Sequence, residues 1–460
     1  MVGTDNQHTV NEITQGDLFS AMIRFSVPYL IASFLQSFYG MADLFIIGQF
    51  RDAASVTAVS IGSQIMHMLT VIIVGLAMGT TVSISHAIGA DNKEDASKSI
   101  GNSIILFAAV SVLLTGILLC FVNNILNLLD TPPESMKEAV DYLLICFAGI
   151  PFITFYNLTA SIFRGFGDTR RPMVFVAIAG IINIGLDLVF VGVFHIGAGG
   201  ASLATVISQA VSVLIAGISM YHRHLASVLS KAAFKPDRKE VAKLIQIGMP
   251  IAVQDGLIQV SFLIITMIAN LRGLEIATAV GIVEKIISFL FLVPSAMLST
   301  VAALAAQNAG AGQFERSRRV LPYGIRICIV YGITVFVLGQ ILAGRILPLF
   351  IHNEPMIVEY GIQYFRAYVV DCLFGGIQFC CSGFFSAYKK SVYSFIHNMI
   401  SIVTIRVPCA YLAAVLVPDN LFPMGLAAPM GSLLSCIICL FLYRRLYAKH
   451  LSYRIEETHR

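Results

Sequence analysis

Residues 58–90, AVSIGSQIMHMLTVIIVGLAMGTTVSISHAIGA, run for 33 positions without one Asp, Glu, Lys or Arg. A helix that crosses a bilayer needs about 20 predominantly apolar residues, so this stretch alone is long enough. It aligns without a gap on residues 279–311, AVGIVEKIISFLFLVPSAMLSTVAALAAQNAGA, at an offset of 221. Seven of the 33 positions are identical, which is weak on its own. The same offset, slipped by one, sets Pro28 against Pro250, and it places GFGDT (165–169) opposite SAYKK (386–390). The pattern predicts two similar halves.

The rest of the chain agrees with a membrane setting. Its 460 residues would suggest about three soluble domains at roughly 150 residues each. Hydrophobic residues, however, make up 57% and charged residues 12%, with a mean hydropathy of +0.82. That apolar content excludes a disordered chain. Nine cysteines in 460 residues do not make a disulfide scaffold, and all nine fall in apolar runs, where a thiol acts as a small hydrophobe. Cys436 and Cys439 have CxxC spacing, but without a second pair or a histidine cluster no metal is expected there. The net charge is +4, with no basic cluster interleaved with aromatics, so no nucleic-acid partner is expected. The first twenty residues lack the pattern of a cleaved signal, and the first apolar segment is expected to remain.

Twelve apolar spans are read, at about 20–49, 57–88, 100–128, 137–163, 172–194, 198–221, 242–269, 276–308, 321–349, 357–387, 392–417 and 421–443. They are too continuously apolar for barrel strands, which alternate, and lipid offers no partner to an open sheet edge. The expected fold is therefore an all-α integral membrane protein: twelve transmembrane helices in two six-helix lobes, 1–221 and 242–460, related by a pseudo-twofold repeat. An even number of helices per half inserts both copies the same way up, which leaves a cavity between lobes. One set of alternate loops and the tail hold 21 of the 30 lysines and arginines, the opposite loops four. Positive residues stay inside, so both termini are expected in the cytoplasm of a multi-pass cell-membrane protein. The linker 222–241 is either a solvated connection or a short helix lying on the membrane face through Leu225, Val228, Leu229 and Ala232.

Acids at bilayer depth are costly and therefore functional candidates. Five qualify: Asp43, Asp187, Asp255, Glu284 and Asp371. In the first span, Ser33, Gln36, Tyr39, Gly40 and Asp43 recur at steps of three and four, which lines them along one helix face. Pro28 precedes them, cannot donate its backbone hydrogen bond, and permits a kink. In the fifth span, GIINIGLDLVF (180–190) puts Asn183 one turn before Asp187. A carboxylate, an amide and the Thr205 hydroxyl of the next helix offer the hard oxygens that a proton or a small alkali cation uses, so the two compete for one place. Asp255 follows Gln254; Glu284 precedes Lys285, which does not face it; Asp371 has Arg366 five residues earlier, near a span end. Arg406 and Pro408 stand where the first half has Gly185 and Asp187, so the second half lacks the Asn/Asp pair.

Enzyme signatures fail on inspection. GFGD (165–168) fits a GxGD pattern, but Asp168 sits in a loop beside Arg170 and Arg171, where a glycine-rich turn explains it. No HExxH, GxSxG or Walker A sequence occurs. Asn157 begins an acceptor sequon, but inside a span.

Pro28 with Asp43, RGFGDTRRPM (164–173), NIGLD (183–187), GASLATVISQ (200–209) and the AIGA and NAGA closings together resemble the multidrug and toxic compound extrusion (MATE) family, in particular its bacterial DinF-like and MepA-like branch. The resemblance runs from about residue 18 to 445. It implies a first-lobe pocket in which Asp43, Tyr39, Tyr142, Asn157, Asn183, Asp187 and Thr205 match cation- or substrate-binding residues. Asp187, Asn183 and Thr205 would form a Na+ or proton site, and Pro28 would mark the hinge of the first helix. His86, in SHAIGA, departs from the commoner glutamine or arginine. The activity implied is secondary active multidrug efflux: export of amphipathic, often cationic compounds in antiport with H+ or Na+, by alternating access. No other cofactor and no catalytic residue is expected, the partners are small amphipathic substrates and the lipid bilayer, and the chain is expected to be a monomer. The rival readings are a lipid-linked precursor flippase of the same superfamily and an intramembrane enzyme.

Overall fold

The computed structural model describes residues 13–222, 231–350 and 354–458, and regular structure among them is helical throughout. Ten helices are long and apolar enough to cross a membrane, and two bent pairs bring the number to twelve if each pair is one span. The ends of the spans agree with the expected twelve to within seven residues, the largest differences being the starts at Lys93 and Phe314. The expected spans 137–163 and 357–387 are the bent pairs: Pro133–Ala148 meets Ile150–Gly165 at 47°, and Pro355–Tyr368 meets Asp371–Ala387 at 45°. In the first pair the cause is Pro151, at the second position after the break, which has no amide proton to continue the ladder.

Side-chain exposure fits lipid rather than water. Phe45, Val112, Ile181, Val330 and Phe441 are among the many large apolar side chains left exposed, far more than a soluble monomer leaves uncovered. Polar caps close the loop ends. Asp52 accepts from the Ser55 amide at 3.0 Å and the Ser55 hydroxyl at 2.8 Å, and these donors hold its carboxyl below the ordinary aspartate range. Asp17 likewise accepts from the Ser20 amide at 2.7 Å at the start of the first helix, Leu18–Phe50.

The chain divides into two compact units: Met1–Ala252 with Ala306–Phe314, and Val253–Ala305 with Glu315–Arg460. In the first unit, helix Ala53–Gly89 is approached by backbone at two levels. A Cβ on Gly89 would lie 1.9 Å from the Gln307 carbonyl oxygen, and one on Gly310 would lie 2.2 Å from that of His86. Nearer its middle, a Cβ added to Gly79 would run into the Leu244 carbonyl oxygen and one added to Gly248 into that of Leu76. The matched AIGA and NAGA closings thus supply the small residues at a reciprocal backbone contact.

Of the segment between the halves, Leu225, Val228 and Leu229 fall outside the described residues. Lys231–Phe234 forms a single 3-10 turn. The chain just after this turn is tied to helix Lys93–Leu128: Asn102 accepts from the Asp237 amide at 2.8 Å, and the Ser99 hydroxyl donates to Glu240, which also pairs with Lys243 at 3.1 Å.

Candidate functional site

The first helix turns its apolar positions Ile31, Phe34, Phe38, Met41 and Phe45 outward. Its polar stripe points the other way, with Asp43 only 4% exposed. There Asp43 meets the next two polar helices of the same unit. Thr205 Oγ1 donates to Asp43 Oδ2 at 3.3 Å and shares its proton with the Ala201 carbonyl at 3.0 Å. Asn183 Nδ2 donates to Thr205 Oγ1 at 3.5 Å. Asp187, one turn beyond Asn183 and 1% exposed, brings its carboxyl against that of Asp43. Residues expected to act together from spacing and resemblance are therefore neighbours in space.

The local backbone helps to explain this. Asp187 ends the regular part of its helix, and Leu188–Val193 continues as a π-helical turn. Such widened turns occur mostly as single insertions, frequently at functional sites.

The shell is rich in acceptors and poor in donors. Asp43 Oδ1, Asn183 Oδ1 and both Asp187 oxygens are buried without a hydrogen-bond donor. No basic side chain among the described residues pairs with either aspartate. Two ionised carboxylates in contact, away from water, repel strongly, so such a pair is stable only when it holds a positive charge. A proton shared between the carboxyls meets that need. So does an alkali cation held by Asp43, Asp187, Asn183 and Thr205, since carboxylate, amide and hydroxyl oxygens are the ligands hard cations take. Among the described residues no group of three or more His, Cys, Asp or Glu could hold a transition metal.

The stripe continues from this cluster. Gln209 Nε2 donates to Tyr39 Oη at 3.1 Å, and the Tyr39 hydroxyl also meets Gln36. Gln36 in turn lines a pocket with Tyr29, Ser33, Tyr156, Asn157 and Arg164. Asn157 belongs to this wall, although its amide donates to its own helix at Ile153 O, 2.8 Å away. Tyr39 and Tyr142 do not line it. Tyr142 packs its ring over Gly62 and meets the Ser63 hydroxyl at 3.2 Å. Pro28 sits inside an unbroken helix beside this pocket. The carbonyl its missing amide would serve is that of Arg24, one residue before Phe25, whose own carbonyl accepts from the Thr169 hydroxyl at 2.9 Å.

Sequence reasoning missed Gln209 and misplaced one base. Arg164, one of the basic residues assigned to the loops on one side, is only 7% exposed. Its position as the last basic residue before a glycine turn gave no sign of which way the side chain points.

The acids of the second unit are compensated differently. Glu284 Oε2 accepts from Thr266 Oγ1 at 3.2 Å, and Asp371 lies against Ser432, which also accepts from Gln378 at 3.1 Å. Both acids feel the guanidinium of Arg406. Arg406 donates to Tyr368 Oη at 2.6 Å and stacks 4.6 Å above the Phe262 ring. Asp255 accepts from its neighbour Gln254 at 3.3 Å. A tethered cation thus faces the acids of the second unit, whereas among the described residues none pairs with Asp43 or Asp187.

A family model, MatE, matches residues 28–189 and again 250–412, one copy in each half of the chain. The probable multidrug resistance protein YpnP of Bacillus subtilis is 26% identical over 433 residues, covering 94% of this chain and 96% of that protein. A FAD transporter of Shewanella oneidensis is 26% identical over 434 residues, covering 92% and 94%. Among solved structures, a MATE in complex with MaL6 superposes with a TM-score of 0.89 at 22% identity, covering 96% of this chain and 99% of that one.

Proposed function

Because the chain belongs to the MatE family, we propose that it is a secondary active transporter that exports amphipathic small molecules from the cell in antiport with H+ or Na+, by alternating access. It is a multi-pass membrane protein of a multidrug transporter family. The coupling ion, the cell membrane as its location, and cytoplasmic termini are parts of the proposal, the last supported by the distribution of basic residues. Asp43 and Asp187 are assigned the coupling cation, with Asn183 and Thr205 as neutral ligands. The observation that carries this is the set of buried acceptor oxygens in the first unit with no donor and no basic partner.

The energetics suffice. One positive charge moving inward down 100 mV releases about 2.3 kcal/mol. At about 1.4 kcal/mol per decade this sustains roughly a fifty-fold gradient of a neutral substrate.

The test is dye export from vesicles containing the purified chain, with proton and sodium gradients imposed separately. Export driven by one of the two gradients supports the proposal; export that ignores both removes it. Thr205→Val in the same assay keeps the side chain's shape and deletes the hydroxyl that bridges Asp43 and Asn183. Its gradient-driven rate is expected to fall about tenfold, the scale of one hydrogen bond to a charged group. A rate unchanged by Thr205→Val would take the hydroxyl out of the ion's shell.

A further inference from the structure

The pocket below the carboxyl cluster carries a charge of the opposite sign. Arg164 is the one charged residue in its wall, and neither Asp43 nor Asp187 lines it. The guanidinium donates from Nη2 to the Ser161 hydroxyl and sits 5.2 Å from the centroid of the Tyr29 ring. Its Nε is buried with no acceptor. Among the described residues no carboxylate pairs with it. A guanidinium this buried is ordinarily matched by an acid, because an unpaired buried charge is costly. Here no described residue of the chain supplies that match, which leaves the guanidinium open to an acid group entering the pocket.

We propose that this pocket receives the acid group of a flat amphipathic anion or zwitterion, a carboxylate, sulfonate or phosphate, with its ring system against Tyr29 and Tyr156. Arginine presents a planar fork of donors that fits such groups. Tyr29 and Tyr156 supply ring faces, while Ser33, Gln36 and Asn157 supply neutral polar partners. Tyr29 stands 14 positions before Asp43 on one helix, about 21 Å along its axis. Cargo anion and coupling cation therefore occupy separate places, joined by the stripe through Gln36 and Tyr39. Only the identification of the bound anion as exported cargo rests on the transport reading above; the binding site itself does not.

The test compares rhodamine 110 with its methyl ester rhodamine 123, which share one ring system and differ by a free carboxylate. Binding of each dye to the detergent-purified full chain is measured by fluorescence anisotropy, with no ion gradient present. The chain is expected to bind rhodamine 110 at least tenfold more tightly than rhodamine 123. Arg164→Gln should erase that preference by weakening rhodamine 110 alone, and Arg164→Lys should keep part of it. Asn157→Asp places a carboxylate in the wall and should shift preference to rhodamine 123, which decides the matter should Arg164→Gln not fold. Equal affinity for the two dyes, or an equal loss of both in Arg164→Gln, would overturn the assignment. Displacement of rhodamine 110 by equimolar short-chain phosphatidylglycerol would give the site to a lipid headgroup and overturn it as a cargo site. Dye preference that persists while neither ion gradient drives export would sink the antiport reading and leave the pocket assignment standing.

Discussion

Asp187→Asn is expected to insert, fold and purify like the parent chain, yet export no dye above the level of protein-free vesicles under any imposed proton or sodium gradient. Asparagine has the shape of aspartate and can hydrogen-bond Asp43, so the packing of a side chain that is 1% exposed survives. It cannot release or accept a proton at neutral pH, and it brings no negative charge to a cation. The site would therefore keep a single ionisable group, without the carboxyl–carboxyl repulsion that makes it take up a cation, and a ligand that binds both conformations equally shifts neither. Asp371→Asn should lose less, because Arg406 already compensates the second unit's acids. The readout is export rate per reconstituted molecule, normalised to folded protein. A loss in Asp371→Asn as severe as in Asp187→Asn would move coupling to the second unit.

Gly89→Val is expected to have the largest effect on folding. A side chain at Gly89 meets the Gln307 carbonyl at 1.9 Å. That obstacle is backbone, which cannot swing aside as a side-chain tip can, so the two segments must separate and lose the contacts around them. Overpacking of this kind costs about 1–3 kcal/mol even where side chains yield, and the cost here should reach or exceed the upper end. Gly310→Val should behave alike, because its Cβ meets His86 backbone at 2.2 Å. Gly116→Val is the control, with nothing within 4 Å of the added carbon. Cys146, Cys328, Cys372, Cys380, Cys381 and Cys439 are buried free thiols, so a thiol-reactive fluorogenic dye reports unfolding on heating. The expected result is a clear drop in midpoint for Gly89→Val and Gly310→Val and little change for Gly116→Val. Equal midpoints would mean that the closings do not pack as described.

The fold was legible because the bilayer imposes a strong rule on sequence. Runs such as 58–90 have no other stable home, and their lengths and loop charges carried the helix count. Breaks within spans were harder to read. Pro151 could have signalled the bend near Gly149, but no proline or glycine marks the corresponding break near Val369 and Val370. The π-helical turns at Leu188–Val193 and Ile402–Arg406 arise from hydrogen-bond register, which composition does not record. In the site, steps of three and four residues were enough to put Ser33, Gln36, Tyr39 and Asp43 on one face. The convergence of that face with Asn183, Asp187 and Thr205 depends on packing between helices and entered only through family resemblance. Arg164 and Arg406 show the other gap. An arginine near a span end reads as a snorkelling or loop residue, and its actual partners, Tyr29 and Ser161 or Tyr368 and Phe262, lie on neighbouring turns or distant helices.

The central claim is that, in the absence of substrate, the buried carboxyl pair of the first unit holds a positive charge, as a proton or as a cation. Infrared difference spectroscopy of the purified chain, stepping pH or sodium without substrate, addresses it without reference to transport. The account predicts a carbonyl stretch from a protonated carboxyl group that disappears as pH or sodium rises and is absent from the Asp43→Asn/Asp187→Asn double variant. The same band, with the same response, persisting in the double variant would contradict it.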